Sequence, residues 1–136
     1  MPFTLKQDPV LGVVEVTFTG LITGTDLRDA VSKCISLQKQ TGTTRFLVEA
    51  FGCDVGATFF EIYDIPDKQS WKEEFNRQSR VAVILPDSAK TREAAQFYQT
   101  ACQNRGWYTN LCLDRQSAME WLTGTNATGK LAAGQG

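Results

Sequence analysis

The sequence predicts a single α/β domain, a mixed β-sheet packed against helices, on three observations. Two short apolar runs, RFLVEA (45–50) with Phe46, Leu47 and Val48 consecutive and RVAVIL (80–85), read as strands covered on both faces. Alternation through Val14, Val16 and Phe18 reads as a strand with one face buried. Leu27, Ala30, Val31, Cys34 and Leu37, at spacings of three and four, form the apolar stripe of an amphipathic helix. At 136 residues, 42% apolar and 21% charged, the chain is long enough to bury roughly two-thirds of its unfolded surface without a disulfide or metal staple.

The elements follow in order. Phe3 to Asp8 and Leu11 to Phe18 form a hairpin broken at Asp8-Pro9, and Gly20 to Gly24 ends the second strand. Thr23 and Asp26, three apart, make a capping box that opens the first helix, and Gly42 lies just past its end. The strand RFLVEA should be central. Gly52 and Gly56 flank a turn-forming stretch, Ala57 to Ile65 is a short helical segment, and Pro66-Asp67 stops it, with Asp67 placed to cap a second short helix carrying Trp71 and Phe75. After the strand 80–85, Asp87 or Ser88 caps a long helix with Ala94, Phe97, Tyr98 and Ala101 on its buried side. Trp107 to Leu113 is the last strand, and Asp114 caps a final helix with Ala118, Trp121 and Leu122 inward. The order is ββαβααβαβα, a domain over residues 1–123, and the small, glycine-rich remainder, 124–136, reads as a frayed tail.

Several function classes are disfavoured. A net charge of -1, from 14 basic and 15 acidic residues spread along the chain, offers no field for nucleic acid. The absence of histidine removes the usual neutral-pH base, the Ser-His and Cys-His pairs and the commonest metal ligand. Cys34, Cys53, Cys102 and Cys112 form no Cys-x-x-Cys pair and fit as small buried hydrophobes, with an exposed, reactive Cys53 as the minority reading. The glycine pairs 20/24 and 52/56 match no phosphate-binding fingerprint. Asp54, Glu61, Asp64 and Asp67 read as caps and solvated faces. The expectation is a protein that is not an enzyme and carries no cofactor. The alternating start of the chain and the lack of a bilayer-length apolar run predict a cytoplasmic location.

The richest signal is Phe59, Phe60, Ile62, Tyr63, Ile65, Trp71 and Phe75, seven apolar residues within seventeen positions on short elements. One reading is that they simply cover an edge of the sheet, since aromatics dominate core burial. The other is a flap over an apolar cavity, or a face that presents Trp71 and Phe75 to a bilayer while Lys68, Lys72 and Arg77 meet anionic head groups, opposed by Glu73 and Glu74. The candidate contacts for a small apolar ligand, a lipid or a membrane are Phe59, Phe60, Tyr63, Lys68, Trp71, Lys72 and Phe75.

The stretches VVEVTFTGLITGTDLRDAV, RFLVEA, FFEIYDIPD, RVAVILPD, FYQTACQNRGW and DRQSAMEWL, together spanning roughly residues 10–122, resemble the SpoIIAA-like proteins. These share their architecture with STAS domains and resemble lipid-carrying CRAL-TRIO domains. The resemblance implies a mixed sheet with successive β/α turns and a bacterial, mostly uncharacterised family. The best-understood STAS relatives of that family are bacterial anti-sigma factor antagonists, switched by phosphorylation of a serine at the helix start after the central strand. Here that region reads GCDVGATFFE, without the Asp-Ser-Ser-Gly-like pattern, so Thr58 is the one candidate phospho-switch, or else a plain N-cap. The alternative function implied is a STAS-like interaction module, as a homodimer or with a partner protein.

Overall fold

The computed structural model describes residues 2–124. The predicted tail from residue 125 onward lies outside them. Strands β1 (Phe3–Asp8) and β2 (Val13–Phe18) form the hairpin, its turn held by the Asp8 carboxylate, which accepts from the N–H groups of Val10 and Leu11 at 3.1 and 3.2 Å. Next come β3 (Gly20–Ile22), helix α1 (Gly24–Thr41), β4 (Arg45–Glu49), β5 (Cys53–Val55), α2 (Phe59–Asp64), a π turn (Ile65–Gln69), α3 (Ser70–Lys72), β6 (Arg80–Ile84), α4 (Ala89–Asn104), β7 (Tyr108–Cys112) and α5 (Arg115–Thr123).

Five strands form one mixed sheet in the order β1-β2-β4-β6-β7, antiparallel between β1 and β2 and parallel elsewhere. The apolar run of 45–50 is its central strand. One face, through Val14, Val16, Phe18, Phe46, Val81 and Val83, lies under α1, α2 and α4; the other, through Val13, Leu47, Ala82 and Ile84, is covered by Ala118, Trp121 and Leu122 of α5. The expected caps are present. Thr23 and Asp26 close a reciprocal box on α1, Gly42 takes a left-handed φ of 77° at its end, and Ser88 and Asp114 cap α4 and α5.

Two expectations need correction. Gly20–Ile22 and Cys53–Val55 are not only turns: they pair in parallel as a second, two-stranded sheet beyond the ends of β2 and β4. Cys53 is buried there, as expected of the four cysteines, with Thr91 Oγ1 donating to its carbonyl at 3.1 Å, and the minority reading of an exposed thiol fails. Second, Pro66-Asp67 does not separate two helices. The backbone stays right-handed helical at Asp64, Ile65, Gln69 and Ser70, and Asp67 is no cap but an ion-pair partner of Arg105 Nε at 2.8 Å.

Proline explains the continuity. Pro66 has no N–H to give, and its ring crowds the preceding turn, so an ordinary helix would break there. The chain widens instead, and Ser70 N–H reaches Ile65 O, five residues back. The Pro66 carbonyl thereby released accepts from the indole Nε1 of Trp107 at 3.0 Å in a buried bond. Replacing Trp107 by Phe should keep most of the packing but leave this carbonyl without a partner. We expect a loss of about 1–3 kcal/mol, read as a lower urea midpoint with an unchanged slope.

Candidate functional site

Small residues on the buried faces of two helices leave space over the sheet. Ala30 and Cys34 on α1 and Ala94 and Ala95 on α4 stand above Val16, Phe46, Val81 and Val83, and none reaches far enough to fill the gap. Ile62 and Ile65 close it from α2 and the π turn, and Phe75 closes it from the segment that follows. The result is a hollow of about 150 Å³ with walls almost wholly apolar.

Its polar groups are few and neutral. Thr91 is committed to Ser88 and to the Cys53 carbonyl. Burial pushes the Tyr98 phenol well above its ordinary value, reinforced by the neighbouring Cys102 thiol. Burial likewise raises Cys34 to about 12 and Cys102 to about 11, the latter against hydrogen bonds with Thr109 and Tyr98 that pull it down. Near neutral pH the wall therefore carries no charge and no thiolate nucleophile. Among the described residues no group of three or more His, Cys, Asp or Glu is placed to hold a metal ion.

The segment over this hollow is tied at both sides. Towards α1, Gln69 Nε2 donates to Arg28 O at 2.9 Å and Ser32 Oγ to Glu73 Oε2 at 2.9 Å. Towards the turn between α4 and β7, the Arg77 guanidinium lies against the adjoining rings of Trp71 and Trp107, 4.2 and 4.4 Å from their centres, and donates to the carbonyls of Arg105 and Gly106. Arg105, paired with Asp67, stacks over Tyr63 at 4.9 Å.

The residues singled out from the sequence divide accordingly. Ile62, Ile65 and Phe75 enter the wall of the hollow, Phe75 packed on Phe46 and Trp107 at 5.5 and 5.7 Å between ring centres, and of the candidate ligand contacts Phe75 alone does so. Phe59 stacks on Phe97 at 4.7 Å yet stays 47% exposed, Phe60 is 74% exposed, and Trp71 is 47% exposed. Tyr63 is half-buried under Arg105, Lys68 faces Asp64 at 4.0 Å, and Lys72 is exposed. Leu21 and Phe51 are exposed as well, at 65% and 51%, beside the ends of β3 and β5. Thr58 caps α2 in a reciprocal box with Glu61; its hydroxyl faces the Glu61 carboxylate at 3.3 Å, where a phosphate would meet like charge. Sequence reasoning named Ile62 and Ile65 in the cluster over a cavity but missed Cys34, Ala94 and Tyr98 as wall residues. The available signal was the run of small residues on the buried stripes of α1 and α4. No family model, curated protein or solved structure matches this chain.

The thiols give a pH prediction. A group that holds its proton more tightly when folded stabilises the fold below its unfolded value and loses that contribution as pH rises through the folded one. For Cys34 that window runs from 9.0 to about 12. Urea midpoints should therefore fall as pH rises through this range, and iodoacetamide at pH 8 should modify Cys34 and Cys102 only once the chain is unfolded.

Proposed function

We propose that this chain is a non-enzymatic binding module of the SpoIIAA-like kind, taking one small neutral apolar molecule into the hollow between the sheet and α1, α2 and α4. The observation that carries the reading is the hollow itself: about 150 Å³ with almost no polar wall. An apolar cavity of that size stays dry and accepts a benzene-sized guest. The same wall sets the ligand's chemistry. A carboxylate or ammonium would lose its hydration with no charged partner in exchange, so the buried portion is uncharged and an ionic head would remain outside. The resemblance of the sequence to SpoIIAA-like proteins, which are themselves similar to lipid-carrying CRAL-TRIO domains, supports the reading, as do the exposed apolar side chains of Phe59, Phe60 and Trp71. With Lys68 and Lys72 on the same segment, these suit a passing contact with a bilayer from which a ligand is drawn. Among the described residues no helix is long and apolar enough to cross a membrane. A cytoplasmic place for the protein is part of the proposal.

Titration with benzene, indole or 1-hexanol, followed by amide shifts and by thermal unfolding, tests it. Binding should shift resonances of Ala94, Tyr98 and Ile62 and raise the melting temperature with ligand concentration, whereas benzoate and hexanoate at pH 7 should do neither. Ala94→Leu, which fills the hollow, should abolish binding while adding about 0.5–2 kcal/mol of stability. Failure of all three neutral probes, or an Ala94→Leu variant that binds as well as the parent, would sink the proposal. Sedimentation with anionic vesicles, comparing the parent with Phe60→Ser, tests the bilayer contact separately.

A further inference from the structure

The two outer edges of the five-stranded sheet are finished differently. β7 is closed by its own neighbour in sequence. Gln99 and Gln103, one turn apart on α4, reach its free side: Gln99 Oε1 accepts from Leu111 N–H at 2.5 Å and Gln103 Nε2 donates to Thr109 O at 3.0 Å. Two side-chain amides thus stand where a further strand would bond, which guards the edge against pairing.

Among the described residues β1 has no such cover. Its pairing with β2 runs without a bulge from Phe3↔Phe18 to Asp8↔Val13, and Thr19 N–H donates to Pro2 O at 2.8 Å. Because hydrogen-bonded and non-bonded pairs alternate in an antiparallel ladder, that bond fixes the phase. Thr4, Lys6 and Asp8 turn their backbone groups towards β2, and Phe3, Leu5 and Gln7 turn theirs outward. Among the described residues, no side chain or backbone group meets these outward N–H and C=O groups.

We propose that this edge is the contact for a second copy of the chain, with β1 pairing antiparallel to β1 and the two five-stranded sheets becoming one. The strand is self-complementary in a single register. With Leu5 opposite the partner's Leu5, Phe3 falls opposite the partner's Gln7, and all three outward residues exchange both of their hydrogen bonds; a shift in either direction leaves one residue out. In that register Lys6 stands opposite the partner's Thr4 and Asp8 opposite the partner's Pro2, so no like charges face each other directly. The half-buried Leu5 gains its own copy as an apolar neighbour. A two-fold axis midway between Leu5 and the partner's Leu5 closes the assembly at two subunits, since the glutamines of α4 block growth from β7. This inference is independent of what the hollow binds.

Sedimentation over the micromolar to millimolar range should show the mass rising from 15.1 kDa towards twice that value. Amide exchange at Leu5 and Gln7 should slow as concentration rises, while exchange at Lys6, already bonded to β2, does not. Gln7→Pro removes only an outward donor at an exposed position and should hold the chain at the monomer mass with its circular dichroism unchanged. Gln99→Ala with Gln103→Ala opens the second edge and should give species larger than a dimer. The proposal is overturned by a monomer mass throughout with fast exchange at Leu5 and Gln7, or by a Gln7→Pro variant that is folded and dimerises like the parent. If that variant does not fold, exchange in the parent chain alone decides.

Discussion

One missing hydrogen bond sets the geometry over the sheet. Pro66 cannot donate to the turn before it, and the π turn from Ile65 to Gln69 is the backbone's answer. The wider turn keeps the segment helical from Phe59 to Lys72, which lets Ile62 and Ile65 face inward while Phe59 and Phe60 remain at the surface. It also turns out the Pro66 carbonyl for the Trp107 indole, and that bond brings Trp71, Phe75 and Arg77 together over one ring system. The roof of the hollow is thus fixed by contacts about forty residues away in sequence. Its inner side is apolar, made by Ile62, Ile65 and Phe75.

An empty apolar space has a cost, and its size decides how the hollow should be regarded. At about 24 cal/mol per Å³, 150 Å³ amounts to about 3–4 kcal/mol, a large share of the roughly 5–15 kcal/mol that holds a typical domain together. Larger side chains at Ala30, Cys34 or Ala94 would recover part of it with no change of fold. A guest recovers the same dispersion contacts when it enters. The hollow therefore favours occupation by a nonpolar molecule for the reason that it disfavours the empty state.

How much of this could be read from the sequence depends on the range of the signal. Caps and stripes are local: Thr23 with Asp26, Gly42, Ser88 and Asp114 all act within a few residues, and each was legible. The three-residue strands β3 and β5 are too short to show a period, and their glycines read as turns although the segments pair with each other across more than thirty positions. Pro66 reads as a stop because the rule for proline assumes a helix with no outside help; Trp107, the donor that stabilises the alternative, is invisible from the neighbourhood of residue 66. The aromatic excess between 59 and 75 was legible as an excess. Which rings turn inward was not, since that follows from the phase shift the π turn introduces. Of the rings in this segment, Phe75 meets the hollow and the others do not.

The sheet's two faces divide the tasks of stability and accommodation. Beneath α5, Val13, Leu47, Ala82, Ile84, Ala118, Trp121 and Leu122 pack as one buried cluster, and at its margin Arg115 bridges Glu15 on β2 and Glu49 on β4 at 2.6 and 3.0 Å. Half-exposed pairs of this kind add little by themselves, but here one guanidinium ties α5 across two adjacent strands. The order of β2 and β4 is thus held from that side as well as by their own ladder. Packing changes over the opposite face, where α1, α2 and α4 meet around the hollow, can then proceed without disturbing the strand register. On the proposed reading the domain folds whether empty or filled, and the separation serves that, because a hollow inside its only cohesive layer would make folding depend on the guest.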